Sequence, residues 1–503
     1  FKMLKDVLLL TYTVFTLFLT LYSVAQAALT LRLVATSFRK RKPSPPSAPS
    51  VWPLVVLQLP LYNEKYVVAR LLEAVAALDY PRDRLIVQVL DDSTDDTVEV
   101  VAGLVAQHQR GGLNIQHVRR PERTGFKAGA MAYGLTLVPE AEFAAILDAD
   151  FVPAPDFISR LVPYFYSAPR VAFVQGRWDH LNGLDNWLTR AQALNIDAYY
   201  AIEQEARSAI GTVMSFNGTG GMWRIEAIHA AGGWLADTLT EDFDLSYRAQ
   251  LLGWRGMFAS DVVVPGELPP QIEAYKRQQS RWATGSNQVF LKLVRPLLTS
   301  SMPWQRKALA LLHLTQYLPH PIMLVLLLLA PWMILSGAHK QLVLAPLTVF
   351  AVIQPTLHLM AQRRLHPEDW GWRMLAFPVV MILGIGMLWN NTRAAYAAYQ
   401  SWRQHRELEF VRTPKFGVQV KSWTHRAYAL NPISGQTWIE LGLAVYASVA
   451  YFLALQTSLQ SALWLMTYAI ALGGVGLWSM SDQWRMSRPL AQPSAPVELS
   501  AGD

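Results

Sequence analysis

The stretch "EFAAILDAD", residues 142–150, decides how the chain is read. Five apolar residues run without a polar break, too few for a helix, so they describe a strand buried on both faces. Two aspartates, Asp148 and Asp150, follow at its carboxyl end. Upstream, "PLVVLQLP" (53–60), "RLIVQVLDD" (84–92) and "NIQHV" (114–118) are further short apolar runs. Helix-like patterns separate them, "KYVVARLLEAVAAL" at 65–78 and "TVEVVAGLVAQHQ" at 97–109. Strand alternating with helix predicts a doubly wound, mostly parallel α/β sheet. Such sheets bind ligands at the carboxyl ends of their strands. Asp91-Asp92 and Asp148-x-Asp150 both stand there.

The flanks are of another kind. The chain has 503 residues, 52% hydrophobic and 16% charged, with a net charge of +7. That balance excludes a wholly soluble protein. The basic residues flank apolar runs, which points to orientation in a membrane and not to nucleic acid. Cys is absent, so disulfide frameworks and Cys-based zinc sites are excluded. Residues 7–31 carry no charge and are long enough to span a bilayer. Apolar stretches return at 318–335, 342–360, 374–389, 441–455 and 463–480. The segment after Arg393 carries Arg403, Arg406, Arg412, Lys415 and Lys421 and is expected on the cytoplasmic side. Three full crossings before it would put it outside. The Gly-Ile-Gly-interrupted 374–389 is therefore expected to lie at the interface. The expected organisation is a membrane helix at 1–37, a linker at 38–51 and a cytoplasmic domain at 52–303. An all-α membrane region follows at 304–480, with an interfacial part at 374–408 and a loop at 409–418. A disordered tail is expected at 481–503.

Individual residues suggest chemistry. Asp148 and Asp150 suit a divalent cation, since Mg²⁺ takes one or two carboxylates plus substrate phosphates. Alone, the pair would read as a solvated turn; its place at a strand end raises it. Asp95 and Asp96 read equally well as helix caps. Lys127 in "RTGFKAGA" sits among glycines where a diphosphate can approach, or is an ordinary surface lysine. In "TED", Thr240 suits a cap and Glu241 the helix dipole. Crowding by its neighbour raises the pKa of Asp242 toward that of a general base. Gln278, Arg281 and Trp282 offer a phosphate clamp and a sugar-stacking face, or a membrane-interface belt.

In this order, Asp91, Asp148-x-Asp150, Thr240-Glu241-Asp242 and Gln278-x-x-Arg281-Trp282 resemble the membrane-embedded family 2 glycosyltransferases. These are cellulose synthase, its cellulose-synthase-like relatives and, more loosely, ceramide glucosyltransferase. "PLYNE" (60–64), "FKAGA" (126–130) and "FNGTGGMWR" (216–224) agree, and "FNGT" is most similar to plant-type glucomannan synthases. "FVRTPK" (410–415) resembles the F-x-V-T-x-K gating loop, with Arg412 in the place of Val. Leu61 and Asn217 depart from the Thr and Cys of cellulose synthases. No PilZ-type regulatory domain is expected to follow.

The resemblance implies a GT-A domain between membrane helices and an inverting, Mg²⁺- or Mn²⁺-dependent hexosyl transfer from UDP-glucose or GDP-mannose. Pro60, Tyr62, Glu64, Asp91, Lys127, Asp148, Gln278, Arg281, Thr413 and Lys415 would bind the nucleotide sugar. Asp150, with Asp148, would hold the metal. Asp242 would act as base beside Glu241 and Thr240. Trp282, Asn217, Gly218 and Thr219 would face the acceptor. The expected product is a β-linked polysaccharide translocated through the chain's own spans. A single addition to a lipid is the alternative; a non-catalytic binding or transport protein is the remaining one. Nucleic acid is not an expected partner. The composition suggests a bacterial inner membrane.

Overall fold

In the computed structural model, residues 2–39, 47–341, 345–417, 428–431 and 433–487 are described. Seven strands form one sheet in the order β3-β2-β1-β4-β6-β5-β7. They are β1 (Val55–Leu61), β2 (Leu85–Asp91), β3 (Ile115–Val118), β4 (Phe143–Ile146), β5 (Val171–His180), β6 (Gly221–Arg224) and β7 (Arg255–Gly266). The first four are mutually parallel, as their intervening helices require. β6 runs antiparallel to β4 and β5, so the sheet is mixed. All seven residues of β1 are buried, because helices cover both faces. Leu57, Leu59, Val87 and Val89 pack on one side with Val68, Leu71 and Leu72. Val56, Leu90 and Ile146 pack on the other with Met131 and Leu135.

Among the described residues three helices are long and apolar enough to cross a membrane: Lys5–Arg32, Gly435–Leu455 and Leu459–Ser487. Two bent pairs make up to five if each pair is one span. They are Trp304–Leu314 with Pro319–Leu335, bent by 65°, and Trp370–Gly386 with Leu388–Gln404, bent by 41°. The expected interfacial segment 374–389 falls in the second pair. Helix Ala345–Leu365, which carries most of the expected span 342–360, is not among these; Gln354, His358 and Gln362 interrupt it. The expected tail begins too early. Helix Leu459–Ser487 continues through Asp482, which accepts the Ile272 N–H at 3.0 Å and so anchors the extra turn. Residues 488–503 lie outside the described residues.

Helix Ile272–Thr299 joins the two parts. Its Lys276 is buried and donates to Glu440 Oε2 at 2.6 Å and to Ser479 Oγ at 3.1 Å, both on the last two helices.

Candidate active site

The carboxyl ends of β1, β2 and β4 and the loop before β6 form one end of the sheet. Beneath β2, Asp91 accepts from the Ser93 N–H (2.9 Å) and faces His117 Nε2 (2.9 Å). Burial works to raise its pKa, but these hydrogen bonds outweigh it and hold the carboxyl below its ordinary value. Arg120 grips Asp92 with two nitrogens, at 2.9 and 2.6 Å. Asp95 Oδ1 takes the Thr97 N–H at 3.0 Å from just outside helix Thr97–Arg110; the N-cap is Asp96, whose carboxylate pairs with Lys65 instead of capping.

β4 delivers the next pair. Lys127, in the first turn of helix Phe126–Thr136, donates to Asp148 Oδ1 (2.6 Å) and to the Gly218 carbonyl (3.0 Å). Asp150 is fully buried. Its Oδ2 accepts from Lys415 Nζ (2.7 Å) and the Glu267 N–H (3.2 Å), while its Oδ1 has no partner among the described residues. Among the described residues no third His, Asp or Glu completes a metal cluster here. A carboxylate pair with one orphaned buried oxygen suits a hard divalent cation that also takes substrate phosphates.

Across the cleft, helix Glu241–Leu251 starts with three acids in its first turn. The third, Asp244, is structural: Arg248 donates to it at 2.7 Å and Lys292 lies at 2.9 Å. Burial pushes the Asp242 carboxyl up to about 7, helped by the neighbouring Glu241 charge; Lys127 and Arg281 oppose this. Burial also raises Glu241. Gly218 permits this approach: its φ is +80°, and a Cβ there would stand 2.9 Å from Asp242 Oδ2. The expected Thr240 cap does not form. Its buried hydroxyl has no partner, because the side chain is packed against Gly285, where a Cβ would come within 2.5 Å of it.

Gln278, Arg281 and Trp282 share one face of helix Ile272–Thr299, as the i, i+3, i+4 spacing dictates. They line the same cleft as Lys127, Asp148, Asp150, Asn217, Gly218, Thr240, Glu241, Asp242 and Lys415. The cleft encloses about 750 Å³ including its open mouth. The loop at 409–417 lies across it. Arg281 stands over the Phe410 ring at 4.7 Å, and the Gly417 N–H donates to Glu267 Oε2 at 3.0 Å. Arg412 stacks on Tyr428 at 4.3 Å.

Other expected residues lie apart from the cleft lining. Tyr62 is stacked under Arg123 at 3.5 Å. Burial lifts Glu64 to about 8 against the pull of Arg412. Pro60 and Thr413 are buried. Thr219, expected at the acceptor, is fully buried; its hydroxyl takes the Asp148 N–H at 2.8 Å and so positions the first aspartate. Sequence reasoning missed Glu267, which Arg70 holds at 2.7 Å, and the wall formed by Trp178, Asp179, His180 and Ile196.

The description "Glycosyltransferase like family 2" matches residues 53–285. These residues form a family 2 glycosyltransferase domain. The chain is 42% identical over 253 residues to "Probable glucomannan 4-beta-mannosyltransferase 1" of Arabidopsis thaliana, covering 50% of this chain and 46% of that one. It is 44% identical over 252 residues to "Probable glucomannan 4-beta-mannosyltransferase 7" of Oryza sativa subsp. japonica, covering 50% and 43%. It is 42% identical over 250 residues to "Glucomannan 4-beta-mannosyltransferase 1" of Cyamopsis tetragonoloba, covering 49% and 48%. The chain thus spans just under half the length of these relatives. All three are plant proteins, so they lend no support to the expected bacterial membrane. Among solved structures, the mannosyltransferase PcManGT of Pyrobaculum calidifontis, in complex with GDP-Man and Mn²⁺, aligns over 77% of this chain and 100% of its own. The identity is 22% and the TM-score 0.49. The matched region of the family 2 domain contains every cleft residue above except Lys415.

Proposed function

We propose that the chain is an inverting, cation-dependent membrane hexosyltransferase that extends a β-linked glycan from a nucleotide sugar. The observation that carries this is the single cleft shared by Asp148, Asp150, Lys127, Asp242, Arg281 and Trp282. Similarity to 4-beta-mannosyltransferases favours GDP-mannose as donor, with UDP-glucose second.

Tyr62, Glu64 and Asp91 hold the nucleoside, and Lys127, Gln278 and Arg281 steady the diphosphate. Asp150 and Asp148 would hold Mg²⁺ or Mn²⁺, which supplies positive charge beside the leaving diphosphate when bound. Thr413 and Lys415 close the loop over the nucleotide. Trp282, Asn217 and Gly218 place the terminal acceptor sugar. Asp242 takes the proton of the acceptor hydroxyl as its oxygen bonds to the anomeric carbon. The bond from that carbon to the diphosphate oxygen breaks, its electron pair leaves with the nucleoside diphosphate, and the anomeric configuration inverts. The domain is placed on the cytoplasmic side, and the growing chain leaves between the spans.

The test uses the full chain in detergent or nanodiscs with Mg²⁺ or Mn²⁺ and labelled GDP-mannose or UDP-glucose. Release of nucleoside diphosphate with a long β-linked product is expected. One sugar on a lipid would replace the polymer reading with a single-addition enzyme. No release from either donor would overturn the proposal.

A further inference from the structure

Asp197 is buried on helix Trp187–Ala198, yet three side chains converge on it. His180 Nε2 lies 3.2 Å from its Oδ1; His366 Nε2 at 3.2 Å and Gln362 Nε2 at 2.8 Å face its Oδ2. Burial alone would raise the carboxyl, but these hydrogen bonds outweigh it and hold it well below its ordinary range. A carboxylate only accepts, so each imidazole must present an N–H at Nε2. With Nε2 committed to Asp197, Nδ1 is the ring nitrogen left to hydrogen-bond a ligand. No described protein group bonds Nδ1, and the residue lines the cleft.

Its position says what it meets. The nucleoside residue Asp91 ends β2 and the cation pair follows β4, whereas His180 ends β5, four strands from β2 in the sheet. At about 4.8 Å per strand that is on the order of 19 Å, beyond the reach of the donor's nucleoside. Gln362 and His366 belong to helix Ala345–Leu365 and the residue after it, so Asp197 ties this wall to the helical region. His180 and Trp282 line the same cleft, on the side away from Asp91.

We infer that His180 binds a hydroxyl of the acceptor sugar through Nδ1, and that Asp197, braced by Gln362 and His366, fixes its tautomer and ring orientation. This rests on the transfer reaction proposed above. The role is positional: His180 moves no proton in the reaction, and it sets which acceptor hydroxyl pattern is held beside Trp282.

The test compares His180→Phe and His180→Gln in the full chain, with oligosaccharide acceptors and the active donor. His180→Phe keeps the ring volume but removes Nδ1, and should raise the acceptor KM about tenfold. Donor KM and nucleoside diphosphate affinity should stay within about twofold. His180→Gln can donate to Asp197 and accept from the sugar, and should recover most of the loss. An unchanged acceptor KM in His180→Phe, or an equal loss in donor affinity, overturns the inference while transfer by the wild-type chain stands. A wild-type chain that transfers to no sugar acceptor removes both readings.

Discussion

The two walls of the cleft treat charge differently. On the wall made by the ends of β2 and β4, four carboxylates already have a cation each: Asp91 has Arg119, Asp92 has Arg120, Asp148 has Lys127 and Asp150 has Lys415. On the opposite wall Glu241 and Asp242 crowd one helix start, and their nearest cations, Lys127 and Arg281, act from a distance. Under the proposed function the four pairs of the first wall must exchange partners when a charged donor enters. The second wall keeps a carboxyl near neutrality, where a proton acceptor is most effective.

The sharpest way to break this contrast is Asp242→Asn. Transfer should fall by about 10²–10⁴-fold, while calorimetry finds nucleoside diphosphate binding retained. Normal turnover would move the base elsewhere. Next comes Asp150→Ala, which leaves Lys415 without its partner and removes the orphaned oxygen. Mn²⁺ binding in the presence of nucleoside diphosphate, read by electron paramagnetic resonance, should weaken about a hundredfold or more, and activity with it. Retained Mn²⁺ affinity would exclude Asp150 as a ligand.

Lys415→Met should act on the donor and on the Asp150 cation site that Lys415 touches, and not on the acceptor. A buried charge-assisted hydrogen bond is lost, so donor KM should rise roughly tenfold with the acceptor KM unchanged. The smallest effect separates protonation from chemistry. The Asp242 carboxyl is raised from 3.8 to about 7 by folding. The folded state therefore holds a proton there that the unfolded state has released, and stability is lost as pH rises between those values. Asp242→Asn should raise the Tm by roughly a few degrees at pH 8 and leave it unchanged near pH 4. In the wild type, kcat/KM should fall with acid below about pH 7, because the base must be unprotonated.

Much of the first wall was legible. The apolar runs ending in Asp91 and Asp148 are strands because both faces are covered, and period and length say so without tertiary information. The partners of those acids were not legible. His117, Arg120 and Glu267 lie in ordinary local sequence, and only the sheet order brings them to the carboxylates. β6 was missed for a related reason: four residues that open on the second of two glycines carry too little pattern to show a strand, let alone its reversed direction. Thr240 misled because local capping preference lost to a close helix crossing at Gly285.

The Lys276–Glu440 contact bears on how the molecule can be dissected. Lys276 is 2% exposed and Glu440 is 0% exposed, and they come from opposite ends of the domain boundary. Stranding one member of such a pair commonly costs about 3–5 kcal/mol. A fragment cut after Thr299 would strip Lys276 of Glu440 and Ser479, leaving it only Glu273 at 2.9 Å, and would uncover the apolar surface around it. The chain is thus better handled whole, with its last helices attached.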